Sequence, residues 1–176
     1  MTWFRKDPEN VKKLKNNVLN VFMNVWKDEA PSDVRMWGTF KEGEKKIRGR
    51  GYSKRYVVFN ARAMNGYRDR THLAYAANVF VNAGHRNLFK QHGVDLDEDM
   101  YALSFLLQWI WRSAIRDGKD IYLYIPSKRM RTLLVNWIDV VSKGGDAGCV
   151  SVTDACTEES SVLRKTPATI AGTTNL

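Results

Sequence analysis

The chain is poor in several things at once. It has two cysteines, Cys149 and Cys156, in 176 residues, which excludes a disulfide scaffold and supplies half a zinc site at best. Its three histidines, His72, His85 and His92, stand at no metal-like spacing with one another or with the cysteines, so no metal site is expected. No apolar run reaches the ~18 residues that suggest a membrane span, and Met1-Thr-Trp-Phe-Arg-Lys6 lacks the charged-apolar-small order of a signal peptide. The expectation is a soluble, cytoplasmic chain without a membrane partner. Acids are also scarce: 19 Asp and Glu face 28 Lys and Arg, a net charge of +9. Such an excess attracts polyanions or an acidic protein surface.

Catalytic signatures are missing as well. Gly38-Thr-Phe-Lys-Glu-Gly43 opens like a phosphate-binding loop but continues with Glu44, without the lysine and hydroxyl that hold phosphate and magnesium. Asp95-Leu-Asp-Glu-Asp99 follows a calcium loop for five positions until Met100 takes the place of the required glycine. No Ser-His-Asp set or carboxylate pair is legible, so catalysis by this chain alone is unsupported.

What is present reads as alternating helices and short strands. Asp7-Pro8-Glu9 supplies a cap, a first-turn proline and an early acid, and Val11, Leu14, Val18, Val21, Phe22 and Val25 follow at helical spacing, predicting a helix over 8–27. Val34–Phe40 and Tyr56–Phe59 read as strands, with a basic, glycine-punctuated hairpin or loop over 41–55 between them. Helices are expected over 70–82, 86–91 and 98–116, a strand over 121–125, and a last helix from Ser127 to Val141. Strands joined by helical crossovers imply a parallel sheet. The expected organisation is an N-terminal helix and linker over 1–33, an α/β domain over 34–142 and a flexible tail over 143–176, where Gly, Ser and Thr dominate.

Three groups of residues carry candidate chemistry. Ser104, Gln108, Arg112 and Arg116 recur every four residues, hence on one helical stripe, and arginine forks on a line suit phosphate oxygens. The alternative is an exposed seam whose charges pair with Asp117 or Asp139. Residues 41–70 hold ten Lys or Arg against three acids, among them Lys45, Lys46, Arg48, Arg50, Lys54, Arg55, Arg62, Arg68 and Arg70, with Tyr52, Tyr56 and Tyr67 interleaved. Such cations neutralise phosphates and tyrosines stack bases, so DNA or RNA is the expected partner, against an ordinary solvated loop. The polar turn 60–69 follows an expected strand, where ligands gather in open α/β sheets. Ser127, Lys128 and Arg129 at a helix start form a phosphate-site candidate beside Arg116.

Phe59–Tyr75, Leu107–Gly118 and Ile121–Arg131 resemble the C-terminal, second RecA-like domain of superfamily 2 (DEAD/DEAH-box-like) helicases encoded by bacteriophages and mobile elements. Their last motif is Gln-x-x-Gly-Arg-x-x-Arg, whose first glutamine and first arginine match Gln108 and Arg112; Trp111 replaces the glycine and Arg116 falls one residue late. The resemblance implies a RecA-like partial parallel sheet with flanking helices. It makes Arg112, with Gln108, an arginine finger acting in trans, with ATP and Mg engaged only if a partner ATPase domain holds them. A helicase-derived nucleic-acid-binding domain without its own ATPase activity is then the expected function. The alternative is an anti-defence inhibitor, of anti-CRISPR or anti-restriction type, that binds a host defence protein or nucleoprotein.

Overall fold

The computed structural model describes residues 3–60, 66–144, 150–153 and 162–165. After α1 (Trp3–Lys6), α2 (Pro8–Asn20) starts where the Asp7 carboxylate accepts the Asn10 N–H at 3.1 Å, with Pro8 in its first turn. It continues as a single π-helical turn, Val21–Val25. The sheet core comprises β1 (Arg35–Gly38), β2 (His72–Tyr75) and β3 (Tyr122–Tyr124), all parallel. Between them stand α3 (Lys41–Ile47), α4 (Ala83–Gln91) and α5 (Glu98–Ile110), and α6 (Lys128–Gly144) follows β3.

Register explains the layering. Arg35, His72 and Tyr122 form one cross-strand row and Trp37, Ala74 and Tyr124 another on the same face, because side chains alternate along a strand. That face meets the π-helical turn and the residue after it: Trp26 packs edge-on to His72 with ring centroids 5.2 Å apart, and Phe22 and Trp37 both pack on Tyr52. The opposite face meets α5, where Trp109 lies 5.2 Å from Tyr75. α6 packs beside α5 through Met130, Leu134 and Ile138. Phe4, Val18 and Phe22 belong to the same apolar core as the strands, so the N-terminal helices are part of the domain's packing.

Several expected elements take a different form. Residues 70–82 hold β2 rather than a helix. All four β2 residues are buried, and a parallel strand covered on both faces shows no polar–apolar alternation to mark it. Tyr56–Phe59 is not a strand: it touches β1 at the single bridge Trp37–Tyr56, and the Val57 N–H donates to the Trp37 carbonyl at 2.8 Å. Residues 41–47 are helical, with Glu42 and Glu44 in the first turn and Lys45 and Lys46 in the last, as the helix dipole favours. Buried Gly43 lies under the Phe4 ring and Ile47 anchors the C-terminal end. The helix expected over 98–116 stops at Ile110. There the Ser113 hydroxyl turns back to the Ile110 carbonyl at 2.6 Å, and the Ala114 N–H goes to the Arg70 carbonyl at 2.9 Å.

In the segment expected as a tail, β4 (Val150–Thr153) and β5 (Val162–Lys165) extend the sheet in the order β1-β2-β3-β5-β4, both new pairings antiparallel. Residues 145–149, 154–161 and 166–176 of that segment lie outside the described residues. No described helix is long and apolar enough to cross a membrane.

Candidate functional site

The positive charge is concentrated rather than spread. Residues 8–25 and 41–55 together hold ten Lys or Arg and three acids, a net of +7 out of the chain's +9. These two segments, α2 with its π-helical turn and α3 with the loop after it, pack against each other. The fold therefore gathers most of the chain's excess charge on neighbouring elements.

Along the exposed side of α2 and its π-helical turn, Lys12, Asn16, Asn20 and Asn24 recur every four residues, with the Asn24 amide N–H donating to the Asn20 side-chain oxygen Oδ1 at 2.6 Å. Asn16, Leu19, Asn20, Met23 and Asn24, together with Arg50 from the loop after α3, line an open groove of about 330 Å³. The loop carrying Arg50 is held close by Gly51, whose φ of +84° suits glycine and where a Cβ would stand 2.7 Å from the Met23 sulfur.

Beside the groove lies Arg35, 7% exposed. Its Nε donates to the Ala30 carbonyl at 2.7 Å and its Nη1 to the Gly51 carbonyl at 3.1 Å, with the Met23 sulfur 3.6 Å away. Among the described residues it has no carboxylate within ion-pair distance. Burial lowers its pKa, but a guanidinium remains charged in proteins, so a buried cation backs the groove. Burial first, then the charge of Arg35, pushes the His72 imidazole down to about 4, which leaves it neutral near pH 7.

The sequence candidates separate into three places. Lys45, Lys46, Arg48, Arg50, Lys54 and Arg55 lie on α3 and the loop and 3-10 turn after it. Of these, the Lys46 ammonium donates to the Phe4 carbonyl and the Arg55 Nε to the Ser32 carbonyl at 2.8 Å. Tyr52 and Tyr56 face inward, their hydroxyls donating to the Ile47 and Thr39 carbonyls at 2.6 and 3.0 Å. Arg62 lies outside the described residues, as does Asn65.

Arg68, Arg70, Arg112 and Arg116 sit before the amino ends of β2 and β3. The Arg68 guanidinium forks onto Asp117, which holds that carboxyl below its usual pKa. Arg70 pairs with Asp69 at 3.2 Å. The Arg112 Nη1 donates to the Gln108 carbonyl at 2.9 Å, while Arg116 falls in a 3-10 turn, Ala114–Asp117. The expected single stripe is therefore broken after Ile110, and Ser104 turns its hydroxyl to the Tyr101 carbonyl at 2.7 Å.

Lys128 and Arg129 stand at the carboxyl end of β3. Lys128 is exposed. Arg129 ties three elements together, donating to Val79 O at 2.7 Å, Asn78 Oδ1 at 3.2 Å and Asp99 Oδ1 at 2.6 Å, with its guanidinium 4.7 Å from the Phe80 ring. Sequence reasoning passed over Asn16, Asn20, Asn24 and Arg35. The asparagine spacing was a usable signal, because asparagine is a poor residue for a helix interior and here recurs on successive turns.

The family described as the YonV C-terminal Rossmann-like domain matches residues 1–138. The SPbeta prophage-derived uncharacterized protein YonV of Bacillus subtilis (strain 168) is 43% identical over 137 residues, which make up 78% of this chain and 33% of that protein. The chain thus spans about a third of the length of this curated relative. No solved structure matches the chain.

Proposed function

The chain belongs to the YonV C-terminal Rossmann-like domain family, and we propose that it is a nucleic-acid-binding domain without ATPase activity of its own. The observation that carries this reading is the concentration of +7 of the net charge of +9 on residues 8–25 and 41–55, on packed neighbouring elements. Cations gathered in this way neutralise successive phosphates, whereas a balanced surface does not. Anisotropy titrations of labelled DNA and RNA oligonucleotides against salt provide the test. Binding at ~50 mM salt that falls steeply and linearly in log–log form is expected, and no binding at that salt would sink the reading. Descent from a helicase C-terminal domain belongs to the same proposal, with Arg112 and Gln108 as the residues acting on a partner's ATP and Mg.

A second reading has its own observation. No residue of α4 is buried, and Leu88 and Phe89 stand exposed on it with Phe80, Val94 and Met100 nearby in sequence. Exposed apolar side chains on an unburied helix suit a protein partner. In the anti-defence reading, α4 binds a host defence protein or nucleoprotein. Leu88→Asp would then abolish inhibition of a reconstituted restriction or CRISPR complex while leaving oligonucleotide affinity unchanged. Equal inhibition by the variant would rule α4 out.

A further inference from the structure

Granted the nucleic-acid reading, we infer that the groove between α2 and Arg50 seats a single unpaired nucleobase, which makes the domain a single-strand binder that reads a base edge. Size is the first argument. About 330 Å³ lies at the small end of the ~300–1,000 Å³ of small-molecule sites, room for one nucleotide. A duplex is read differently, by a helix or ribbon entering a major groove ~12 Å wide, and here the concavity is on the protein.

The lining is the second argument. In the Asn24–Asn20 bond the Asn24 N–H is the donor and the Asn20 oxygen the acceptor. With that bond made, the Asn20 amide keeps its NH2 group as donor and the Asn24 amide keeps its oxygen as acceptor, both on residues that line the groove. A base carrying an amino group beside a ring nitrogen presents the complement: its amino group donates to the Asn24 oxygen and its ring nitrogen accepts from the Asn20 amide. Adenine presents this pattern along N6 and N7, the edge a single asparagine amide also reads, and cytosine presents it at N4 and N3. Leu19 and the Met23 thioether give the base faces apolar, polarisable contact.

Charge is the third. Arg50 at the rim presents a planar fork to the phosphate of the seated nucleotide, with the buried Arg35 cation behind Met23 reinforcing the field. Arg48, exposed two residues before Arg50, and Lys12, one turn from Asn16, stand where the flanking backbone would pass.

The test uses the full chain and three labelled probes: a 12-nucleotide dA strand, a 12-nucleotide dT strand and the duplex of the two, titrated at about 50 mM salt. The dA strand should bind at least ~10-fold more tightly than the duplex and measurably more tightly than dT. Asn20→Leu should weaken dA binding ~10-fold without changing its salt slope, since it removes no charge; leucine is the better helix former, so the fold is kept. Arg50→Gln should lower the slope of log affinity against log salt by about 0.7. Equal affinity for duplex and strand, or dA affinity unchanged in Asn20→Leu, would overturn the groove assignment while leaving nucleic-acid binding standing. Failure of all three probes to bind would remove both.

Discussion

Two regions of this domain could serve as its binding site, and they differ in what their polar groups are already doing. At the carboxyl ends of the parallel strands, where open α/β sheets commonly hold ligands, many polar groups are committed internally, although Lys128 is exposed. The Thr39 hydroxyl donates to the Ala76 carbonyl at 2.8 Å, Arg131 donates to the Ile125 and Pro126 carbonyls, and Arg129 bonds Val79, Asn78 and Asp99. Even the glycines there are used for packing: a Cβ at Gly38, the last residue of β1, would stand 2.8 Å from Trp109, and one at Gly43 in α3 2.6 Å from the Phe4 ring. On the face of α2 and α3, where Lys46 and Arg55 are engaged by backbone carbonyls, several cations reach solvent. Lys45, Arg48 and Arg50 are exposed, and the asparagine amides face an open groove. Fold class points to the first region and side-chain chemistry to the second, because a fold sets where a site can form and the residues decide where it does.

The largest effect expected from breaking this contrast is on stability, at the strand ends. Trp109 is fully buried between β1 and Tyr75, with its indole N–H 3.3 Å from the Val57 carbonyl. Trp109→Ala should cost ~3–5 kcal/mol by denaturant unfolding, with the affinity of the folded fraction for oligonucleotides unchanged. Loss of affinity with stability intact would move the site to the strand ends. Next comes a pH effect beside the groove. The folded His72 imidazole titrates at about 4, below the ~6.5 of an exposed one, so the unfolded chain binds the proton first. Stability is therefore full above about pH 6.5 and falls toward pH 4, by up to ~3 kcal/mol. His72→Phe keeps a ring against Tyr122 and Trp26 and removes the proton site; if unfolding of that variant kept the wild-type pH dependence over this window, His72 would not be its source.

The third effect falls on binding alone. Reversing Lys45, Arg48 and Arg50 to Glu should weaken oligonucleotide binding on the order of 100-fold at low salt and flatten its salt dependence, whereas Lys128→Glu at the strand ends should change it little. Comparable losses from both substitutions would erase the distinction between the regions. Thermal unfolding of the triple variant should stay near wild type, because all three side chains are exposed.

Local signals account for what the sequence revealed. Asp7-Pro8 and Asp97 mark the starts of α2 and α5 because caps act over three residues, and Asp97 accepts the Asp99 and Met100 N–H groups at 2.9 Å. β2 escaped because a strand buried on both faces, here His72-Leu-Ala-Tyr75, carries no period, and α3 escaped because the reason Gly43 is tolerated in it is the distant Phe4 ring. The candidate site divides along the same line. Which positions are cationic is plain from the chain, but which cations are consumed is not. The Asp117 that engages Arg68 and the Asp99 that engages Arg129 lie 49 and 30 residues away. Likewise the asparagine period is local, whereas its opposition to Arg50 exists only after α2 and the loop behind α3 have met.

Arg112 gives the smallest and most discriminating effect. Its Nη1 satisfies the Gln108 carbonyl, one of the acceptors that the end of α5 leaves open, and burial lowers its pKa while Tyr67 counters that shift. An arginine used in this way contributes about 1 kcal/mol through one charged donor. Arg112→Ala should therefore lower unfolding stability by about that amount and leave oligonucleotide affinity within about twofold, unlike Arg50→Gln. A trans-acting finger predicts the opposite balance: stability nearly unchanged, and stimulation of a partner ATPase abolished. Measuring unfolding and turnover on the same variant decides whether this guanidinium closes a helix end or reaches toward a neighbour's phosphate.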